Sequence, residues 1–168
     1  MEDIRSRSFF RTGVRELRYI AAVLAIMVAA IHLLHPRLGA PRLIQHLQLG
    51  TLFDPRPLAF TLSAFLIVFG LLLAYNGLFT RRLYLAGAAL MVMYLFGYGA
   101  WHTVLDHGGF WPHIHAHGHS DTGVIETIRI HLVDDSVAMI SKILELTLLV
   151  ALLVLYRVDG SDVDAVSE

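Results

Sequence analysis

Apolar residues run through this chain in four long blocks, and polar residues gather between them. The blocks are Leu17 to Leu34, Leu58 to Phe79, Leu83 to Leu105, and Val137 to Tyr156. Crossing the roughly 30 Å hydrocarbon core of a bilayer takes about 20 apolar residues in a helix. Each block is therefore expected to be one membrane-spanning helix over 17–34, 58–79, 83–105 and 137–156. His35-Pro36-Arg37 and Asp54-Pro55-Arg56-Pro57 bound the first connection, and prolines there stop helices. Thr80-Arg81-Arg82 is a minimal turn, and 106–135 is expected to be a long polar loop. The fold class that follows is all-α, a single integral membrane four-helix bundle over 1–168.

Composition narrows the class. Hydrophobic residues make up 56% of the chain and charged residues 16%. A soluble domain is about 45–50% apolar and about 25% charged. The excess is too large for an ordinary soluble domain or for a disordered chain. With no cysteine, disulfide scaffolds, thiolate metal sites and cysteine nucleophiles are excluded. A net charge of −1 gives no basic footprint for a nucleic-acid partner.

Arginine placement orients the spans. Arg5, Arg7, Arg11, Arg15 and Arg18 precede the first, Arg81 and Arg82 join the second and third, and Arg157 follows the fourth. These eight share one side, against Arg37, Arg42, Arg56 and Arg129 on the other. The positive-inside rule then puts both termini in the cytoplasm of a multi-pass plasma-membrane protein. Tyr19, Tyr75, Tyr84 and Tyr156 fall at the inner boundary, and Trp101 and Trp111 near the outer one, as interfacial anchors do. A cleaved signal peptide is the rival reading of the first block, with Val28-Ala29-Ala30 as its small-residue run. In span two, Ala59, Ser63, Gly70 and Ala74 share a helical face, a small-residue stripe suited to close helix packing.

On this topology all ten histidines fall at the outer side. His32 and His35 are i, i+3 at the end of span one. His102 and Asp106 are i, i+4, as are His131 and Asp135, so three helix ends each present a pair of potential ligands at one depth. Neutral imidazole with carboxylate suits zinc, copper or iron, with the carboxylates as ligands or as groups orienting the rings. The expected metal set is His32, His35, His102, Asp106, His131 and Asp135. A second signal is the tract around His113, His115, His117 and His119, preceded by His107, whose alternation puts imidazoles on one side of an extended chain. Such tracts bind metal, here as a secondary capture arm. Span four carries Lys142 and Glu145 at i, i+3 inside the membrane stretch, with Glu145 about 14 Å along the helix from Ser136. Intramembrane charges are functional candidates, and as a neutralised pair they can also fix helix register. With His131 and Asp135 they read as one polar stripe running inward. Tyr98 lies one turn below His102 on span three.

The two His-x-x-x-Asp units resemble the paired membrane-embedded zinc ligands of cation diffusion facilitators, which have more helices and a cytoplasmic metal domain. The His102 and His107 spacing resembles a histidine box of membrane di-iron hydroxylases and desaturases, whose His-His doublet is missing here. The residues alone support an outward-facing histidine and carboxylate site for a transition metal, in binding, delivery or homeostasis. A b-type cytochrome subunit with haem held by histidines of two spans is the first alternative, and a metal-dependent membrane oxidoreductase or hydrolase the second. The implied partners are the lipid bilayer, a metal ion, and a larger membrane complex or homo-oligomer.

Overall fold

A computed structural model describes residues 2–51, 54–78, 80–105 and 123–164, with side chains over 12–51, 54–78, 80–105 and 123–159. Six helices follow in chain order: α1 Glu2–Leu34, α2 Ala40–Leu49, α3 Arg56–Tyr75, α4 Thr80–His102, α5 Val124–Asp134 and α6 Ser136–Asp164. Four of them carry segments long and apolar enough to cross a membrane: Thr12–Leu34, Arg56–Tyr75, Thr80–His102 and Ser136–Asp159. The chain is thus an all-helical protein of multi-pass membrane character.

The four long helices form a ring in the order α1, α3, α4, α6, each with its backbone packed against its two neighbours, while the diagonal pairs meet through side chains only. Their alternation brings the C-terminal ends of α1 and α4 and the N-terminal ends of α3 and α6 to one end of the bundle. That end is the mouth; the α3–α4 turn, the start of α1 and the end of α6 lie at the other. α4 against α6 and α1 against α3 and α6 are the extensive contacts.

The seam between them follows from the sequence. Ala21, Ala25, Val28 and His32 recur at +4, +3 and +4 on α1 and are all buried. They meet Glu145, Leu148, Ala151 and Leu155 of α6 and Tyr84, Ala88 and Met91 of α4, most of which share one buried cluster. Without a hydrophobic drive between helices in lipid, small residues stabilise such contacts by letting backbones approach. Gly87 shows this most sharply: a Cβ there would meet Leu152 Cδ1 at 3.0 Å. Outward faces carry large apolar side chains such as Phe65, Phe69 and Phe96, all exposed to the bilayer side.

The helix ends differ from the expected ones for visible reasons. Span two stops at Tyr75 rather than Phe79, because Asn76 Nδ2 donates to Leu72 O at 2.7 Å and Gly77 turns the chain at φ 71°. Span three stops at His102 rather than Leu105, where the Thr103 and Leu105 N–H groups both turn back to Ala100 O. The buried face of α3 is Pro57, Thr61, Ser63 and Ala64, so the packing stripe is shifted from the expected one, and Ala59 is exposed.

Two further helices stand where loops were expected. α2 occupies the first connection, opened by Pro41 and closed by Gly50 in the left-handed region at φ 64°. α5 occupies the end of the long loop, which is therefore not irregular throughout; its inward positions Thr127, Ile128, His131 and Leu132 are buried or half-buried. Asp135 lies between α5 and α6 with extended backbone (φ −117°, ψ 95°), so the anticipated continuous polar stripe from His131 to Glu145 is interrupted by a break between two helices.

Candidate functional site at the mouth of the bundle

The mouth opens into a cavity of about 1430 Å³. Every expected metal-site residue with a described side chain lines it: His32 and His35 from the end of α1, His102 from the end of α4, His131 from α5, and Asp135 from the α5–α6 break. Asp106, His107, His113, His115, His117 and His119 lie outside the described residues.

The cavity floor is built around Glu145, whose side chain is wholly buried. Lys142 Nζ donates to its two carboxylate oxygens at 2.8 and 2.6 Å, and Ser141 Oγ donates to Oε1 at 2.8 Å. His32 Nε2 lies 3.3 Å from the same Oε1. The expected i, i+3 pair is therefore real, and α1 contributes a third member to it. Lys142 also reaches Tyr94 O at 3.4 Å and sits 5.2 Å from the Tyr98 ring centroid. The His32 ring is wedged between Phe60 and Tyr94, with centroids at 4.7 and 4.1 Å. Tyr94 in turn hydrogen-bonds Ser63, whose Oγ donates to Phe60 O. All four spans meet at this level, and only through polar or aromatic groups. His32 Nδ1 is buried with no hydrogen-bond partner among the described residues.

Higher in the cavity the remaining candidates are employed differently. His35 follows α1, and its Nδ1 accepts the Arg37 and Leu38 N–H groups at 3.2 Å each. That lone pair closes the turn, which puts the proton of the neutral ring on Nε2. Burial holds its pKa below the usual histidine value, which keeps the ring neutral. Asp135 Oδ1 accepts the N–H groups of Val137 and Ala138 at 3.0 Å each, which makes Asp135 the N-cap of α6. His102 and His131 come together: their ring centroids are 4.4 Å apart at 38°, and the Tyr98 ring lies 4.4 Å from His102 at 55°. His131 Nδ1 lies 2.8 Å from Thr127 O, a partner that fixes the tautomer with Nδ1–H donating. Nε2 is then the nitrogen with the lone pair.

The rim is locked by charge. Asp54 accepts the Arg56 side chain at 2.7 to 3.1 Å and its backbone N–H at 3.0 Å, while the guanidinium covers the Trp101 ring at 4.1 Å. Burial pushes the Asp54 carboxyl up, but the bonds and charge of Arg56 outweigh it and hold the group below the usual carboxylate range. This pins the start of α3 to the end of α4. Sequence reasoning missed that lock, because Arg56 and Trp101 lie 45 positions apart and no local spacing joins them. It also missed the buried role of Ser141, which the i, i+4 spacing to Glu145 signals.

Among the described residues, no three His, Asp or Glu side chains converge closely enough to hold a metal ion. The arrangement offers two imidazoles from different helices at a cavity wall, carboxylates of Asp134 and Asp135 lining the same space, and a neutralised ionic floor. Comparison with protein-family models, with curated proteins and with solved structures finds no match to this chain.

Proposed function

We propose that this chain is a plasma-membrane protein that takes a divalent transition metal ion, zinc, copper or iron, at the mouth of its cavity, and serves metal binding, delivery or homeostasis on the extracytoplasmic side. The observation that carries this reading is the meeting of His102 and His131 from α4 and α5 at one cavity wall. Supporting it, the Thr127 carbonyl orients His131 as second partners orient metal-ligating histidines. The two rings now lie against each other tilted by 38°, so an ion between them requires one ring to turn its nitrogen edge toward the other. Asp106 completes the set in sequence, beside His102. The histidine tract 113–119 collects metal for this site. His35, with its Nδ1 committed to the turn, and His32, beside Glu145, line the same cavity. No geometric observation favours haem.

The test is metal content and visible absorption of the full chain purified in detergent. Stoichiometric metal without a Soret band is the expected result. His102→Ala and His131→Ala should each weaken metal affinity by at least about tenfold. A Soret band would assign haem b instead. Absence of metal, with thermal stability unchanged by chelation, overturns the reading.

A further inference from the structure

Helix α2 is none of the four spans and carries none of the candidate metal ligands, and its surface is divided in three. Its 10 residues span about 15 Å. One sector, Leu43 and His46, packs inward; His46 is buried, with Nδ1 3.4 Å from Thr51 Oγ1. A second sector, Ile44 and Leu47 at i, i+3, is exposed by 53% and 59%. The third is mainly polar: Arg42 donates to Gln45 Oε1 at 2.5 Å, both line the cavity, and Gln48 continues that side, with the exposed Leu49 at the end of the helix its one apolar member. The helix is held in place. Gly39 packs so closely on the end of α1 that a Cβ would lie 2.4 Å from Leu33 O and 2.6 Å from His32 O, and its N–H bonds His35 O at 2.7 Å.

We propose that α2 is an interfacial helix whose Ile44 and Leu47 sector enters the leaflet on the mouth side of the bilayer, at the boundary between headgroups and acyl chains, while its Arg42 and Gln45 sector faces the water of the cavity. Three observations select lipid as the occupant. The spans expose Leu34, Leu58 and Leu62 at the same end of the bundle, so the apolar sector of α2 stands at the level of apolar surface that the spans themselves present outward. Arg37, exposed in the turn that precedes α2, supplies at the same end of the bundle a guanidinium of the kind that phosphates bind. Two side chains are far short of the roughly 800 Å² per partner of a stable protein interface, but they suit an amphipathic helix lying in the headgroup region. The wall of the cavity is then anchored in the leaflet, and the inference does not rest on the metal reading.

The chain has no cysteine, so single substitutions Ile44→Cys, Gln45→Cys, Leu47→Cys and Gln48→Cys place a nitroxide in the full-length protein without background. The labelled protein is reconstituted in phosphatidylcholine and phosphatidylglycerol vesicles. Collision with oxygen, which prefers lipid, is compared with collision with a water-soluble nickel chelate. The oxygen-to-nickel ratio at 44 and 47 should exceed that at 45 and 48 several-fold. A flat or reversed pattern means α2 stands in water and overturns the proposal. Low collision with both reagents at 44 and 47 means a second copy or another protein covers the face, which also overturns it.

Discussion

At the scale of single residues, the most demanding group is Glu145. A carboxylate wholly buried within a membrane span is costly unless its charge and its lone pairs are matched, and here an ammonium, a hydroxyl and an imidazole do this together. Removing one partner leaves the other charge stranded. Lys142→Met and Glu145→Gln are each expected to destabilise the bundle by about 3–5 kcal/mol, the cost of breaking a buried pair from one side. The double variant, which removes both charges at similar volume, should recover most of that loss. Thermal unfolding in detergent of the two singles and the double measures the coupling. Additive losses would mean that the two side chains do not act as a pair. His32 belongs to the same unit, and its place there explains why a histidine stands on a seam otherwise made of Ala21, Ala25 and Val28. Helical spacing in the sequence showed Lys142 and Glu145 as a pair. It did not show that His32 completes the group, because that contact lies between residues 113 positions apart.

At the scale of elements, the four long helices were legible because each is a block of apolar residues long enough to have one physical solution in a bilayer. The two short helices were not, since α2 and α5 mix polar and apolar residues over about three turns and gain their stability from neighbours. The break at Asp135 was hidden for a related reason. His131 and Asp135 are i, i+4, which reads as one face of one helix, yet the Asp135 side chain holds the two N–H groups that a new helix exposes at its start. Spacing cannot distinguish a carboxylate that binds a ligand from one that caps a helix. The structure distinguishes them, and so does a substitution. Asp135→Ala should cost about 1 kcal/mol through the lost cap, and Asp135→Ser, which keeps a capping oxygen, only a fraction of that. Unfolding midpoints of both variants provide the check. If Ser and Ala are equally destabilised, the carboxylate matters for some reason other than the α6 N-terminus.

At the scale of the whole molecule, the topology turns a count of histidines into a direction. Alternating helices carry His32, His35, His46, His102 and His131 to the mouth, and the α3–α4 turn, the start of α1 and the end of α6 to the opposite end. The arginines divide the same way: Arg15, Arg18, Arg81, Arg82 and Arg157 lie toward the termini, where Arg18 bonds Asp159 at 2.8 Å and Arg81 covers the Tyr156 ring at 4.8 Å. Arg37, Arg42, Arg56 and Arg129 stand at the mouth, where Asp54 neutralises Arg56 and Glu126 neutralises Arg129. The positive-inside bias counts arginines near the ends of spans, so the richer side should remain in the cytoplasm and the mouth should face out. Because the chain lacks cysteine, two single substitutions test this on intact cells: Gln48→Cys on α2 and Asn76→Cys in the exposed α3–α4 turn. A membrane-impermeant maleimide should label position 48 in intact cells and position 76 only after permeabilisation. The reverse pattern would turn the cavity and its histidines toward the cytoplasm. It would leave the fold and the buried Glu145 cluster as described, but it would remove the basis for metal capture from outside the cell, because the mouth would then draw on the cytoplasmic pool.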